Sequence, residues 1–154
     1  MLNFSKRLPH VITRTQLCRL LVPTYSSAHG VDEEEAQERL MRALADPGLL
    51  DDLYVGIWEG LGEKRGPRTT EDGLIDRLSR ALEGHSKSKP ATTSPAISAV
   101  LVRIDVEIGF APETMRATLA SEKGKALYNQ GLRDLGAHLV RDILRSGGAK
   151  GPTV

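Results

Sequence analysis

Apolar residues recur at spacings of three and four along much of this chain. The clearest case is residues 47–61, with Leu50, Leu53, Tyr54, Ile57, Trp58 and Leu61. That spacing puts one apolar stripe on an α-helix. Asp46-Pro47 supplies the start, because Asp is a good N-cap and Pro fits the first helical position. Gly62 supplies the stop. Upstream, residues 32–45 (DEEEAQERLMRALA) predict a helix whose acidic first turn suits the helix dipole. Its buried stripe is narrow: Ala36, Leu40, Met41, Ala43 and Leu44. Downstream, Thr70 caps a helix over residues 71–83 with Leu74, Ile75, Leu78 and Leu82 on one face.

The second half reads similarly. Ala111-Pro112-Glu113 opens a short helix to Ala120, with Met115 and Leu119 directed inward. A last helix over residues 121–145 buries Leu127 or Tyr128, Leu132, Leu135, Leu139 and Ile143, and Gly147-Gly148 stops it. Gly124, Gly131 and Gly136 each weaken that helix by about 1 kcal/mol relative to Ala. They mark either close helix–helix approach or a break near Gly124.

Residues 96–110 (AISAVLVRIDVEIGF) carry two patterns at once. Val102, Ile104, Val106 and Ile108 alternate with Arg103, Asp105 and Glu107, which is a strand pattern. Ser94-Pro95 is a helix start instead. A helix here carries one stripe of Ile97, Val100, Leu101, Ile104 and Ile108. It carries a second of Val102, Val106 and Phe110. No good partner strand exists, so helix is the reading adopted, with a strand at 99–108 as the α+β alternative. The expected fold is all-α, with five or six helices following an N-terminal segment. A Ser-, Thr-, Lys- and Pro-rich stretch over 84–95 reads as a linker between a front half (30–83) and a back half (96–146). Residues 147–154 read as a disordered tail.

Composition changes the picture at the N-terminus. The first 30 residues contain no Asp or Glu, although the chain has 20. They hold Lys6, Arg7, Arg14 and Arg19 and six hydroxyl residues. A secretory signal needs an unbroken apolar core, and the longest run here is Leu20-Leu21-Val22. A basic, hydroxylated, acid-free start is the composition of an organelle transit peptide. Positive charge is drawn across a membrane that is negative inside, at about 2.3 kcal/mol per charge per 100 mV. From Thr15 to Leu21, apolar residues and Arg19 segregate to opposite faces of a short helix. We therefore expect residues 1–29 to be a mitochondrial presequence, cut near Tyr25-Ser26-Ser27, with a chloroplast transit peptide or a disordered basic tail on a cytosolic protein as the alternatives. The protein would then act in the matrix or on the matrix face of the inner membrane.

Without that segment, 17 of the 21 basic residues face all 20 acidic ones, a net charge of −3. That balance disfavours a general nucleic-acid binder, which needs a basic face. The single cysteine, Cys18, lies in the presequence, so disulfides, thiolate metal sites and thiol catalysis have no residues to use. The longest uncharged stretch, Pro90–Val102, is too short to span a membrane.

No constellation in the sequence specifies a reaction. Glu33–Glu35 and Asp51-Asp52 read as solvated faces. His138 and Asp142 stand one helical turn apart and read as a surface contact, because a metal site needs three or four ligands. Lys123-Gly124-Lys125 lacks the glycine a phosphate loop requires. No catalytic, metal or cofactor-binding residues are assigned, and no cofactor is expected. Three features remain. Lys64, Arg65 and Arg68 on a glycine-bearing loop (GEKRGPR) form a candidate anion or RNA contact. Val102, Val106 and Phe110 form a candidate partner surface. Asp105 and Glu107 interrupt an apolar segment and need partners, of which Arg103 is the nearest. The function expected is a non-catalytic accessory subunit, assembly factor or adaptor with a protein partner in a larger mitochondrial complex. An RNA-contacting part of the mitochondrial translation machinery is one alternative. A small enzyme using Asp105, Glu107 or His138 is the other.

Overall fold

The computed structural model describes residues 8–66, 68–85 and 88–148, without the side chains of 146–148. All regular structure among them is helical. Eight helices follow in order: α1 Leu8–Val11, α2 Arg14–His29, α3 Glu33–Ala43, α4 Pro47–Glu63, α5 Glu71–Glu83, α6 Pro95–Glu107, α7 Glu113–Ala120 and α8 Glu122–Gly148. Six of these match the helices expected from residue 32 onward. The count of five or six falls short because α1 and α2 lie in the segment set aside as a presequence. The strand alternative at 99–108 is not observed; α6 covers that segment.

Helix starts follow local chemistry. Asp32, Asp46, Thr70 and Ser94 each accept a backbone N–H three residues on. Pro47 and Pro95 stand in the first turns of α4 and α6. Thr13 and Gln16 form a reciprocal capping box at the start of α2.

The long helix α8, about 40 Å at 1.5 Å per residue, is the spine. It packs on α4, α6, α5 and α7. Its glycines make this possible. A Cβ on Gly60 would lie 2.7 Å from the carbonyl oxygen of Gly136, and one on Gly136 would overlap the Gly56 carbonyl. Gly131 backs in the same way onto Ala96 of α6. The close-approach reading of these glycines holds, and α8 is continuous through Gly124. Because α4 and α8 pack together, the front and back halves share one core.

That core includes the N-terminal segment. Leu8, Ile12, Leu17, Leu20, Leu21 and Tyr25 are all essentially inaccessible. Burying one such side chain contributes about 1.5–3 kcal/mol. Six together are comparable with the whole stability of an ordinary domain, about 5–15 kcal/mol. Residues 8–29 are therefore integral to this fold rather than an appendage to it.

Other expectations change too. The 84–95 stretch is held along the body: Ser88 and Ala91 are buried, and the Ala91 N–H donates to Thr24 Oγ1 at 2.9 Å. Ser86 and Lys87 lie outside the described residues. Helix α8 runs through Gly147-Gly148 instead of stopping there, and the tail beyond residue 148 also lies outside them. Met115 does not point inward; it is 41% exposed, and α7 has no buried residue. No helix among the described residues is long and apolar enough to cross a membrane.

Candidate functional site

Polar side chains converge most densely where α2, α3 and α6 meet. Tyr25 and His29, one turn apart on α2, stack with ring centroids 4.0 Å apart. Both reach Asp105 on α6. The Tyr25 hydroxyl donates to Asp105 Oδ1 at 2.7 Å, and His29 Nε2 lies 2.7 Å from Oδ2. Arg39 of α3 donates to the Tyr25 hydroxyl at 3.4 Å and pairs with Glu35. Its guanidinium lies 4.3 Å from the Phe110 ring centroid, a cation–π distance. Burial pushes the Tyr25 phenol up to about 12, with the Asp105 carboxylate acting in the same direction against Arg39. Tyr25 therefore stays a neutral donor.

A shallow cleft flanks each end of this chain of contacts. One, about 250 Å³, is lined by Ala28, His29, Thr93, Ser98, Leu101, Val102 and Asp105. The other, about 360 Å³, is lined by Asp32, Glu34, Glu35, Glu38, Arg39, Arg42 and Phe110. The first brings a histidine, a carboxylate and a serine together, as nucleophilic sites do. The bonding differs from such a site. His29 Nδ1 faces the Tyr25 carbonyl at 3.2 Å and Nε2 faces Asp105. Neither ring nitrogen is turned to the Ser98 hydroxyl, so the pair orients the ring without activating a nucleophile. The cluster fastens α2 to α6 and α3.

A second polar group ties the 84–90 stretch to α8. Asp142 Oδ2 accepts from Ser88 Oγ and from the Lys89 N–H, both at 2.8 Å. His138 Nε2 lies 2.8 Å from the Lys89 carbonyl. The expected His138–Asp142 contact is thus replaced by two separate grips on residues 88–89. Burial works to raise the Asp142 carboxyl, but the two donors, with His85 and His138 nearby, hold it below its usual value. His85 Nε2 is buried with no hydrogen-bond partner among the described residues, 4.0 Å from Asp142 Oδ2.

The residues singled out from sequence are not brought together. Lys64, Arg65 and Arg68 lie on the α4–α5 loop, where Pro67 is outside the described residues. Arg65 is spent on the loop itself, donating to the Thr69 carbonyl at 3.0 Å and pairing with Glu71 at 3.4 Å. The Lys64, Arg65 and Thr69 N–H groups bond to carbonyls of their own segment, so they do not converge on an anion. Of the expected partner stripe, Val106 is buried, Val102 is half-buried, and only Phe110 is open, at 53%. Gly109, at φ 78°, turns the chain out of α6 and sets Phe110 on the surface. Arg103 is not the partner of Asp105; it pairs with Glu107 at 2.7 Å and Asp46 at 3.3 Å.

Sequence reasoning missed Tyr25, His29 and Arg39. The first two stood in the segment excluded from the fold. Their spacing of four was the available signal, since it stacks two rings on one helix face. Among the described residues, no group of three or more His, Cys, Asp or Glu is placed to hold a metal ion. Comparison with protein-family models, with curated proteins and with solved structures finds no match for the chain.

Proposed function

We propose that this protein is a non-catalytic adaptor or accessory subunit of a larger mitochondrial assembly, working in the matrix or on the matrix face of the inner membrane. The observation that carries the docking part is the corner between α6 and α7. Phe110 and Met115, two of the three large apolar side chains left exposed among the described residues, stand five residues apart there. Helix α7 beside them contributes nothing to the core. Exposed aromatic and methionine side chains are the residue types enriched in protein interfaces. The location rests on the composition of residues 1–29.

The test is a native pull-down of the C-terminally tagged protein from isolated mitochondria, beside Phe110→Asp and Met115→Asp variants. Wild type should co-migrate with a large assembly. The variants should leave it while keeping the same helical content and melting temperature. Co-migration unchanged by both substitutions would remove this corner from the interface. A free monomer in the wild-type lane would defeat the adaptor reading.

A further inference from the structure

We infer that residues 8–29 serve twice: as an import address while the chain is unfolded, and afterwards as retained core that folding hides. The inference rests on the mitochondrial location proposed above. Helix α2 is two-sided. Arg14, Thr15 and Arg19 are exposed, while Leu17, Leu20, Leu21 and Tyr25 are buried. A receptor that takes an amphipathic helix does so by its apolar face. In the folded protein that face is the one packed against the body, so recognition and folding exclude each other.

The expected cut site is also closed. Tyr25-Ser26-Ser27 lies within the last turns of α2, not in a loop. A cut there would part Tyr25 from His29, and both hold Asp105. It would also release Thr24, which accepts from Ala91, and Ile12, whose carbonyl accepts from the Tyr54 hydroxyl at 2.7 Å. The segment so removed would take Leu8, Ile12, Leu17, Leu20 and Leu21 with it. Retention of residues 8–29 keeps every one of these contacts. Before folding, the same residues present two arginines and an apolar face, which is what a transit segment needs.

The experiment is import of the full-length tagged chain into energised mitochondria, presented either from urea or after refolding. External protease and intact mass of the protected product give the readout. We expect the urea-presented chain to be protected with residues 8–29 still attached. We expect the refolded chain to enter more slowly by on the order of tenfold or more, because only its rare unfolded fraction shows the address. Arg14→Glu/Arg19→Glu, both at exposed positions, should fold normally and lose import from either starting state. A protected product beginning near residues 26–30 would overturn retention while leaving the location standing. Equal entry of the folded and unfolded chains would overturn the masking of the address. Entry of neither would defeat the mitochondrial location itself.

Discussion

Replacing Gly136 with Ala separates two effects of opposite sign. Helix propensity alone favours the change by about 1 kcal/mol, since Gly136 lies in the middle of α8. Packing opposes it. The new methyl would overlap the Gly56 carbonyl and lie 2.7 Å from the Ile57 nitrogen. Both are backbone atoms of α4, so no rotamer change relieves the clash. The helices must move apart, disturbing a core cluster that includes Leu53 and Ile57 of α4 and Leu135 and Leu139 of α8. Overpacking of a core costs about 1–3 kcal/mol, and more when backbone must shift. The net expectation is a loss of roughly 1–2 kcal/mol or more, read as a fall in Tm of about 2–4 °C per kcal/mol for a chain of this size. Gly62→Ala is the control. It lies in the last turn of α4 and a Cβ there meets nothing within 4 Å. Propensity acts alone at that site, so Tm should hold or rise. Thermal melts followed by circular dichroism decide the matter. If Gly136→Ala raises Tm as Gly62→Ala does, α4 and α8 are not packed as described.

Cys18 offers a probe of the N-terminal segment. Its thiol is buried and pushed up to about 11 by burial, against the pull of Arg19, so alkylation at pH 8 should track global unfolding across a denaturant series. Labelling in native buffer at the rate of a free thiol would mean that α2 is not docked. Asp105→Ala should cost about 1–3 kcal/mol by leaving Tyr25 and His29 without their acceptor. A double-mutant cycle with Tyr25→Phe should show coupling between them, whereas strict additivity would deny their contact. Asp142→Asn tests the sign of a charge effect. A carboxyl held below its usual value stabilises the fold fully above its unfolded value near 3.9 and loses that contribution as pH falls through the folded value. Urea unfolding should show wild type ahead of the variant by about 1–3 kcal/mol at pH 7, with the gap closing on acidification. A gap independent of pH would exclude the carboxylate as its source.

Helices that begin with a capping residue and repeat apolar positions every three or four residues were legible in the sequence. Thr70 with Leu74, Leu78 and Leu82 is one such case, and α5 appears where that pattern puts it. Two-faced segments resolve only by what covers them. The alternation of Val102–Ile108 suits a strand, yet Ser94 and Pro95 start a helix, and α8, α7 and α3 pack against it. The polar cluster was illegible for a different reason. Asp105 took Arg103 as its nearest charge in sequence, but residues 103 and 105 point to different faces of a helix. Its true partners lie 76 and 80 positions away.

The N-terminal segment shows how composition and packing answer different questions. A lack of acidic residues describes the exposed side of α2, where Arg14 and Arg19 stand, and says nothing of the buried side. The apolar residues that break up the charges (Leu8, Ile12, Leu17, Leu20, Leu21) fail as a membrane-crossing run because they are scattered. That same scatter, read at helical spacing, is a core-facing stripe. Under the import proposed above, folding would select the stripe and import the charge, so one segment would satisfy both demands provided the two events happen in order. Setting residues 1–29 aside therefore removed from view the acceptor of Tyr54, the acceptor of Ala91 and both partners of Asp105. Of those groups, Asp105 then read as a candidate for chemistry, when it was a contact waiting for its other half.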